Sequence, residues 1–299
     1  MSRRGTAGLG VPVLVAALLL GGCGTPRSGD LGPAPTAPPT SAAPTDRPEP
    51  TGTPAVEPTP PPADRPPGPS AATSVGTRRP DPVTIELWYV RAGLLVPTRR
   101  TRPATVATSR LALTELAAGP TAAEAATGMT TVLPAGVEVT RIADGVATLR
   151  VPSVGDPATR RLREAQVVWT LTQFPSVRQV RLDGAAPVER ADYADLLPPI
   201  VVTAPIPGER VSAPLVVTGT ASVFEATVSV RVLDAAGREV ATGFGTASCG
   251  SGCRGGYRVV IGWRTVREQK GTIEVYEVSA RDGARINTMA VPVVLAPGG

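Results

Sequence analysis

Residues 137–174 read VEVTRIADGVATLRVPSVGDPATRRLREAQVVWTLTQF, and the spacing of apolar residues changes half-way along this run. The first part alternates apolar and polar residues on both sides of Asp144-Gly145, a pair that suits a type I′ turn because Gly tolerates a positive φ. The second part opens at Asp156-Pro157, an N-cap followed by proline at the first helical position. The run therefore predicts a β-hairpin followed by a helix.

The residues on either side extend this prediction to a whole domain over residues 83–185. Val83–Val90, Leu94–Pro97 and Val177–Leu182 have the composition of strands, whereas Thr105–Ala118 has helical spacing and stops at Gly119-Pro120. The resulting order β-β-α-β-β-α-β predicts an α+β domain with two helices on one face of a sheet.

Several side chains of this domain have predicted roles. Thr121 and Glu124 have the spacing of a capping box for a short additional helix. Trp169 and Phe174 are predicted to be core residues by their spacing. The apolar faces of the two main helices are predicted to consist of Val106, Leu113, Leu116 and Ala117 in the first, and of Leu162, Ala165, Trp169 and Thr172 in the second.

Residues 199–297 have no helical periodicity and contain strand-like runs separated by turn signals. The clearest runs are Ile200–Thr203, Leu215–Gly219, Ala226–Leu233, Tyr257–Ile261, Gly271–Ala280 and Met289–Leu295. About seven short strands in roughly 100 residues are typical of an immunoglobulin-like β-sandwich. Residues 186–198 are predicted to be a connector between the two domains.

Two ordered series of motifs resemble known bacterial domains. LAAGPT at residues 116–121 and QVVWTLTQFPSV at residues 166–177 resemble the GerMN family. GTASVFEA at residues 219–226 and EVSARDG at residues 277–283 resemble the immunoglobulin-like domain of bacterial spore germination. Such domains occur together in envelope lipoproteins, some linked to sporulation and germination. The resemblance implies binding or scaffolding and brings no catalytic residue with it.

The first 23 residues resemble the leader of an exported bacterial lipoprotein. Ser-Arg-Arg at residues 2–4 precedes the apolar run Val11–Leu20, as in a secretory signal. Leu20, Gly21, Gly22 and Cys23 then resemble a lipobox, which implies cleavage after residue 22 and a lipid such as palmitate on Cys23. An ordinary signal peptide with an incidental cysteine is the alternative.

Residues 23–82 are predicted to be a disordered tether. More than half of the chain's 34 prolines lie there, and this composition favours extended polyproline II over a packed core. The segment is interpreted as a spacer between the membrane and the folded domains. The alternative is a ligand for a proline-binding module.

The composition excludes several kinds of chemistry. The chain has no His, so it cannot build a Ser-His-Asp triad, a Cys-His pair or a His-ligated zinc site by itself. No cofactor is expected. Cys249 and Cys253 in an exported chain predict a disulfide, with free or redox-active thiols as the alternative. Glu225 and Glu277 could form a glycosidase pair, but a structural or solvated role for both is favoured.

The sequence as a whole predicts a non-catalytic binding or scaffold lipoprotein at the extracytoplasmic face of the cell membrane. Its expected partners are the membrane, through the lipid on Cys23, and an envelope protein or peptidoglycan. A formal charge of +5 and 3% aromatic residues disfavour nucleic acid. The alternatives are a sensory accessory of a membrane protein such as a histidine kinase, and a cell-wall glycan hydrolase.

Overall fold

The computed structural model describes residues 81–152 and 155–297, and all of these lie in one compact unit. They form an α+β region followed by an all-β region, which confirms the predicted fold class. The predictions of a signal peptide and a tether fall almost entirely outside the described residues, as do the proposed lipobox residues Leu20, Gly21, Gly22 and Cys23.

The first region contains five strands and three helices. They are β1 Val83–Arg91, β2 Leu94–Arg102, α1 Thr108–Ala118, α2 Ala122–Ala125, β3 Glu138–Ala143, β4 Val146–Arg150, α3 Pro157–Leu171 and β5 Gln179–Leu182. The strands form two sheets rather than the single predicted one: an antiparallel β1–β2 pair, and the sheet β3–β4–β5 in which β4 and β5 are parallel. Helices α1 and α3 both pack on β1.

The predicted turn and cap signals of this region are confirmed. Asp144 and Gly145 have φ values of 55° and 81°, as a type I′ turn between β3 and β4 requires. The Asp156 side chain accepts hydrogen bonds from the backbone amides of Ala158 and Thr159 at the start of α3. Gly119 ends α1 with φ 89°.

The predicted start of α1 is wrong by three residues. The helix begins at Thr108, because the Thr105 hydroxyl accepts the amide of Ala107 at 3.1 Å and holds a local turn instead. Val106, predicted on the apolar face, lies outside the helix and is fully exposed. Leu113 and Leu116 are buried as expected.

The outer edge of β1, the edge that does not face β2, is hydrogen-bonded by side chains of α3 and of the turn that follows it. The Gln173 side chain, just after α3, accepts from the amide of Glu86 at 2.8 Å and donates to its carbonyl at 2.7 Å. Thr170 Oγ1 accepts from the amide of Trp88 at 3.2 Å, and Gln166 Nε2 donates to the Trp88 carbonyl at 2.9 Å. These side chains therefore take the place of a neighbouring strand.

This arrangement changes which face of α3 is buried. Gln166 and Thr170, which apolar periodicity does not select, are fully buried. Ala165 is buried as predicted, whereas Trp169 and Phe174 are only partly buried and pack against the core. The interior of this region therefore includes the polar side chains of Gln166 and Thr170, and each of them bonds the backbone of β1.

The second region contains eight strands in two sheets. They are β6 Ile200–Ala204, β7 Arg210–Val211, β8 Leu215–Ala221, β9 Thr227–Leu233, β10 Glu239–Thr246, β11 Gly255–Ile261, β12 Gln269–Val278 and β13 Arg285–Leu295. The sheet orders are β10-β9-β12-β13-β7 and β11-β8-β6. Short 3-10 turns span Arg190–Leu196 before β6 and Phe224–Ala226 before β9.

Sequence reasoning missed β10, whose glycines give it little strand propensity. Its inward positions face β11 closely: a Cβ at Gly245 would lie 3.0 Å from Val259 Cγ2 and 3.2 Å from the carbonyl oxygen of Arg258. Glycine at this position therefore lets the two sheets approach each other at the edge of the sandwich.

Strand β6 belongs to both hydrophobic cores. Ile200 and Val202 are buried among the apolar residues of the second region, whereas Val201 is buried among those of the first. Successive side chains of a strand point to opposite faces, so a single extended strand contributes to two cores. The connector is packed as well, because Arg254 Nη2 donates to the carbonyl of Pro198 at 2.7 Å.

We predict that Gln166→Leu lowers the free energy of unfolding by about 3 kcal/mol, because it leaves the Trp88 carbonyl and the Val132 amide buried without partners. Urea denaturation would measure the change. The matched control is Gln179→Leu, a partly exposed position on β5, where we expect a change within about 0.5 kcal/mol. Equal losses in both variants would contradict the structural role assigned to Gln166.

Candidate functional site

The described residues hold no group of three or more His, Cys, Asp or Glu side chains that could bind a metal ion. None of the helices in residues 81–152 and 155–297 combines the length and apolar character needed to cross a bilayer. The candidate sites are therefore the carboxylates chosen from the sequence, the buried ion pair of the first region and the exposed aromatic side chains of the sandwich.

Glu277 is a structural hydrogen-bond acceptor. It lies on β12, is only 8% exposed, and has the same strand parity as the buried Ile273 and Val275. Its Oε1 accepts from the amide of Phe224 at 2.9 Å, and its Oε2 accepts from Asn287 Nδ2 at 2.7 Å. The carboxylate thus ties the turn Phe224–Ala226 to β13.

Glu225 lies in a different environment from Glu277. It is exposed, with φ 52° in the turn before β9, and in the described part of the chain its side chain has no hydrogen-bond partner. The carboxylate that binds a backbone amide in this bend is therefore that of Glu277. Because both oxygens of Glu277 are already engaged, the geometry lends no support to a glycosidase pair.

A buried ionic cluster, formed by Thr98, Arg100 and Glu124, lies at the junction of β2 and α2. Arg100 and Thr98 both donate to the Glu124 carboxylate, with Arg100 Nη1 at 2.7 Å from Oε1. Glu124 is 1% exposed and also accepts the amide of Thr121 at 2.8 Å, which confirms the predicted capping box. The sequence predicted the cap but not the ion pair.

Electrostatics in this cluster favour the ionised carboxylate. Burial by itself would raise the pKa of Glu124, but hydrogen bonds from Arg100, Thr98 and the Thr121 amide outweigh it and leave the pKa lowered from 4.5. Nearby, burial raises the pKa of Tyr89 to about 12, so its hydroxyl stays protonated. That hydroxyl donates to the carbonyl of Gly119 at 2.7 Å and holds the end of α1.

A stack of three side chains joins β1, α3 and the connector. The rings of Trp88 and Trp169 have centroids 4.6 Å apart, and the guanidinium of Arg190 lies 4.6 Å from the Trp169 centroid. Arg190 also donates to the carbonyl of Trp169 and to Thr172 Oγ1. These contacts attach the connector to α3 and are structural.

An aromatic row lies on the outer face of the five-stranded sheet and consists of Phe244, Ser229 and Tyr276. The register places Phe244 of β10 opposite Ser229 of β9, and Ser229 opposite Tyr276 of β12. Phe244 is 77% exposed. The guanidinium of Arg285 lies 5.9 Å from the Tyr276 centroid, so a cation extends the row towards β13.

The loop between β10 and β11 is closed by a disulfide. Cys249 and Cys253 are bonded, with their Cα atoms 5.8 Å apart, and the Ser248 hydroxyl accepts the amide of Gly256 at 3.0 Å. The link restricts this short surface loop.

Two family models match the chain in consecutive segments. Residues 86–185 match a family described as sporulation and spore germination. Residues 199–284 match the immunoglobulin-like domain of bacterial spore germination. The chain carries a GerMN domain followed by a spore-germination immunoglobulin-like domain. Both domains are thus associated with sporulation and germination, and neither description names an enzyme.

Among solved structures, the tandem GerMN domains of the sporulation protein GerM from Bacillus subtilis are 18% identical, covering 73% of this chain and 61% of that chain with a TM-score of 0.33. A putative lipoprotein from Clostridium perfringens is 13% identical, covering 39% and 93% with a TM-score of 0.25. WR4, a C. elegans MSP family member, is 19% identical, covering 33% and 97% with a TM-score of 0.20.

The chain spans less than two thirds of the GerM structure, and no function follows from likenesses with such low TM-scores. A comparison with curated proteins gives no match. The family assignments therefore rest on the two segment matches. They agree with the α+β and all-β regions that the structure shows.

Sequence reasoning missed the aromatic row and the buried ion pair, because both depend on which residues the fold brings together. Phe244 lies in the unrecognised strand β10, so its place beside Ser229 and Tyr276 could not be derived. Arg100 is one of many arginines, and nothing in the local sequence marks it as the partner of Glu124. Strand parity in β2 was the one available signal, because Thr98 and Arg100 lie on the same face as Leu94 and Val96.

We predict that the stability of the GerMN domain falls in acid through Glu124. Its folded pKa is lowered, so its contribution is complete above the unfolded value near 4.5 and is lost as the pH falls through the folded pKa. Glu124→Gln should lower the free energy of unfolding at pH 7 by about 3 kcal/mol and flatten its dependence on pH below 4.5. Urea denaturation between pH 3 and 7 would measure both effects.

The matched control is Glu115→Gln. It removes the carboxylate that pairs with Arg102, and this carboxylate is more exposed than that of Glu124. Because that pair is partly solvated, we expect a loss below about 1 kcal/mol. A Glu124 variant with an unchanged acid dependence would show that this carboxylate does not cause the acid lability.

Proposed function

We propose that the chain is a lipid-anchored envelope protein whose GerMN and immunoglobulin-like domains form a non-catalytic scaffold that binds another envelope protein. Its role belongs to sporulation or germination, as the two families indicate. The observation that carries the proposal is the aromatic row of Phe244, Ser229 and Tyr276 on the outer face of the sandwich.

The chemistry of the row resembles that of a protein interface. Tyr, Phe and Arg are enriched where proteins meet, and a few such side chains supply most of the binding free energy. Here Phe244 is 77% exposed, although an aromatic ring of this size gains free energy when it is buried. Ser229, which lies between the two rings in register, has a small polar side chain. The face beside the row carries Arg231, paired with Glu274 at 2.6 Å, as a polar border.

A protein partner is favoured over a glycan that the chain hydrolyses, because Glu225 and Glu277 are not arranged as a catalytic pair. Glu277 has both oxygens bonded within the sandwich, and Glu225 lies exposed in a turn. Peptidoglycan binding without hydrolysis is the second candidate, because aromatic rings can also pack on sugar rings. The two candidates give different results in the experiment on Phe244 below.

The anchor is the part of the proposal that rests on sequence alone. Leu20, Gly21, Gly22 and Cys23 resemble a lipobox, and a single acylated cysteine places the mature chain on the membrane without spanning it. The proline-rich residues 23–82 would then act as the spacer that carries the scaffold away from the membrane surface.

We predict that Cys23→Ala moves the chain from the membrane fraction of cells to the soluble or secreted fraction. It should also abolish incorporation of labelled palmitate, because the thiol that carries the lipid is gone. Ser28→Ala, a small substitution beyond the lipobox, should leave both readouts unchanged. Membrane retention of the Cys23 variant with no palmitate label would mean that another feature anchors the chain.

We predict that a photo-crosslinking amino acid at position 276 captures a discrete envelope protein in living cells. Phe244→Ala should reduce the crosslinked product roughly tenfold or more, since loss of a central aromatic side chain typically weakens binding by about 2 kcal/mol. Val260→Ala, which shortens an exposed apolar side chain on β11 of the other sheet, should leave the product unchanged.

Sedimentation with isolated peptidoglycan at low and high salt separates the second candidate. Salt-resistant sedimentation that is lost in Phe244→Ala would make the glycan the ligand of the row. A crosslinked product that is insensitive to Phe244→Ala would refute the row as the binding surface.

A further inference from the structure

A cavity of about 230 Å³ lies where the first region meets the second. One wall is the turn between β1 and β2. The other walls are Pro198 at the end of the connector, the adjoining Pro199, and Asn287, Thr288 and Met289 of β13. All of its lining residues belong to the described part of the chain, and none of them is part of the aromatic row.

Arg91, the last residue of β1, brings a positive charge into this cavity. Its Nη2 lies 2.9 Å from Met289 Sδ, and within the described residues this thioether is the sole hydrogen-bond partner of the guanidinium. A thioether is a weak acceptor, and the guanidinium has five N–H donors. The side chain is partly buried, and this burial lowers the pKa of Arg91.

Three other arginines of the described residues that are at least partly buried have oxygen acceptors. Arg100 is paired with Glu124, Arg190 bonds the carbonyl of Trp169, and Arg254 bonds the carbonyl of Pro198. Arg91 is thus a partly desolvated cation whose donors lack oxygen partners within the described residues. A bound carboxylate would supply the missing acceptors, because it accepts two parallel N–H bonds from a guanidinium.

Apart from Asn287 and Thr288, the remaining lining residues are apolar, and the lining carries no acidic side chain. Leu94, Val96 and Pro198 line the cavity beside Met289, and Val96 and Pro198 are themselves buried. These walls suit a hydrocarbon group, whereas an amine would find no carboxylate to pair with. Thr288 also lines the cavity, and a threonine hydroxyl is a hydrogen-bond donor for an anion.

We propose that this cavity binds a short aliphatic monocarboxylate, with its carboxylate on Arg91 and its hydrocarbon chain against Leu94, Val96 and Pro198. At about 30 Å³ for each water-sized group, the volume admits about eight non-hydrogen atoms. A six-carbon branched acid such as 4-methylpentanoate has this size. The inference goes beyond the scaffold role and does not depend on it, since the two surfaces share no residue.

Binding would join the two regions, because Arg91 and Leu94 come from the first and Met289 from the second. The wall on β13 is already held in place, since Asn287 donates to Glu277 and Glu277 accepts the amide of Phe224. A carboxylate that bonds Arg91 would therefore link the GerMN domain to a preformed part of the immunoglobulin-like domain. Ligand that binds only the folded chain also stabilises it.

The chain has three methionines, which makes the test direct. Purified full chain is labelled with ¹³C at the methionine methyl groups and titrated with 4-methylpentanoate. The Met289 methyl signal should shift and saturate with a dissociation constant below about 5 mM, as expected for a ligand of this size. The Met129 methyl, buried in the core of the first region, should not move.

Two comparisons identify the role of charge. The neutral isostere 4-methylpentanamide should bind at least roughly tenfold more weakly, and Arg91→Gln should weaken carboxylate binding by a similar factor. Arg91→Lys keeps the charge and should retain part of the affinity. Arg258→Gln, an equal change of charge at an exposed position of β11, should leave the affinity unchanged.

Leu94→Phe provides a second variant that leaves Arg91 in place. The larger ring should fill the cavity and abolish the saturable shift of Met289. A titration without a saturable Met289 shift, or amide and carboxylate binding equally well to the unmodified chain, would overturn the proposal. The comparison of the two ligands needs no variant, so it remains decisive even if an Arg91 substitution prevents folding.

Discussion

A strand edge that is covered by a helix exposes backbone amides and carbonyls that cost free energy unless they are hydrogen-bonded. In the GerMN domain this edge belongs to β1, and Gln166, Thr170 and Gln173 supply the bonds. The positions of these three side chains fix both the rotation of α3 and its height along β1. The rest of the domain follows, because Trp169 meets Trp88 and the connector meets α3 only in that arrangement.

The same demand for acceptors explains how the chain uses its buried acidic side chains. Glu124 bonds Arg100, Thr98 and the amide of Thr121, while Glu277 bonds the amide of Phe224 and the side chain of Asn287. Each carboxylate holds a loop against a strand. An acid whose oxygens are all engaged in this way is a poor candidate for proton transfer.

Much of the fold could be predicted because it depends on local signals. Asp144-Gly145 specified a hairpin turn and Asp156-Pro157 specified a helix start, and both depend only on neighbouring residues. Strand β10 and the burial of Gln166 could not be predicted, because both depend on contacts with residues that are distant in sequence. Strand β10 packs closely against β11, and Gln166 bonds the backbone of β1. The candidate surfaces share this limit: Arg91 has a thioether and no oxygen as its acceptor because of where β13 and the connector lie.

Strand β6 places one side chain in the GerMN core between two that belong to the sandwich. Domains that are joined by a flexible linker can be exchanged between genes without loss, since neither contributes to the interior of the other. Here an exchange at residue 199 would replace Val201, which packs in the GerMN core, with a residue from another protein. A replacement sandwich must therefore supply a first strand whose side chain fits that core. Recombination should therefore transmit these two domains as a pair, with exchange points in the segment before β1.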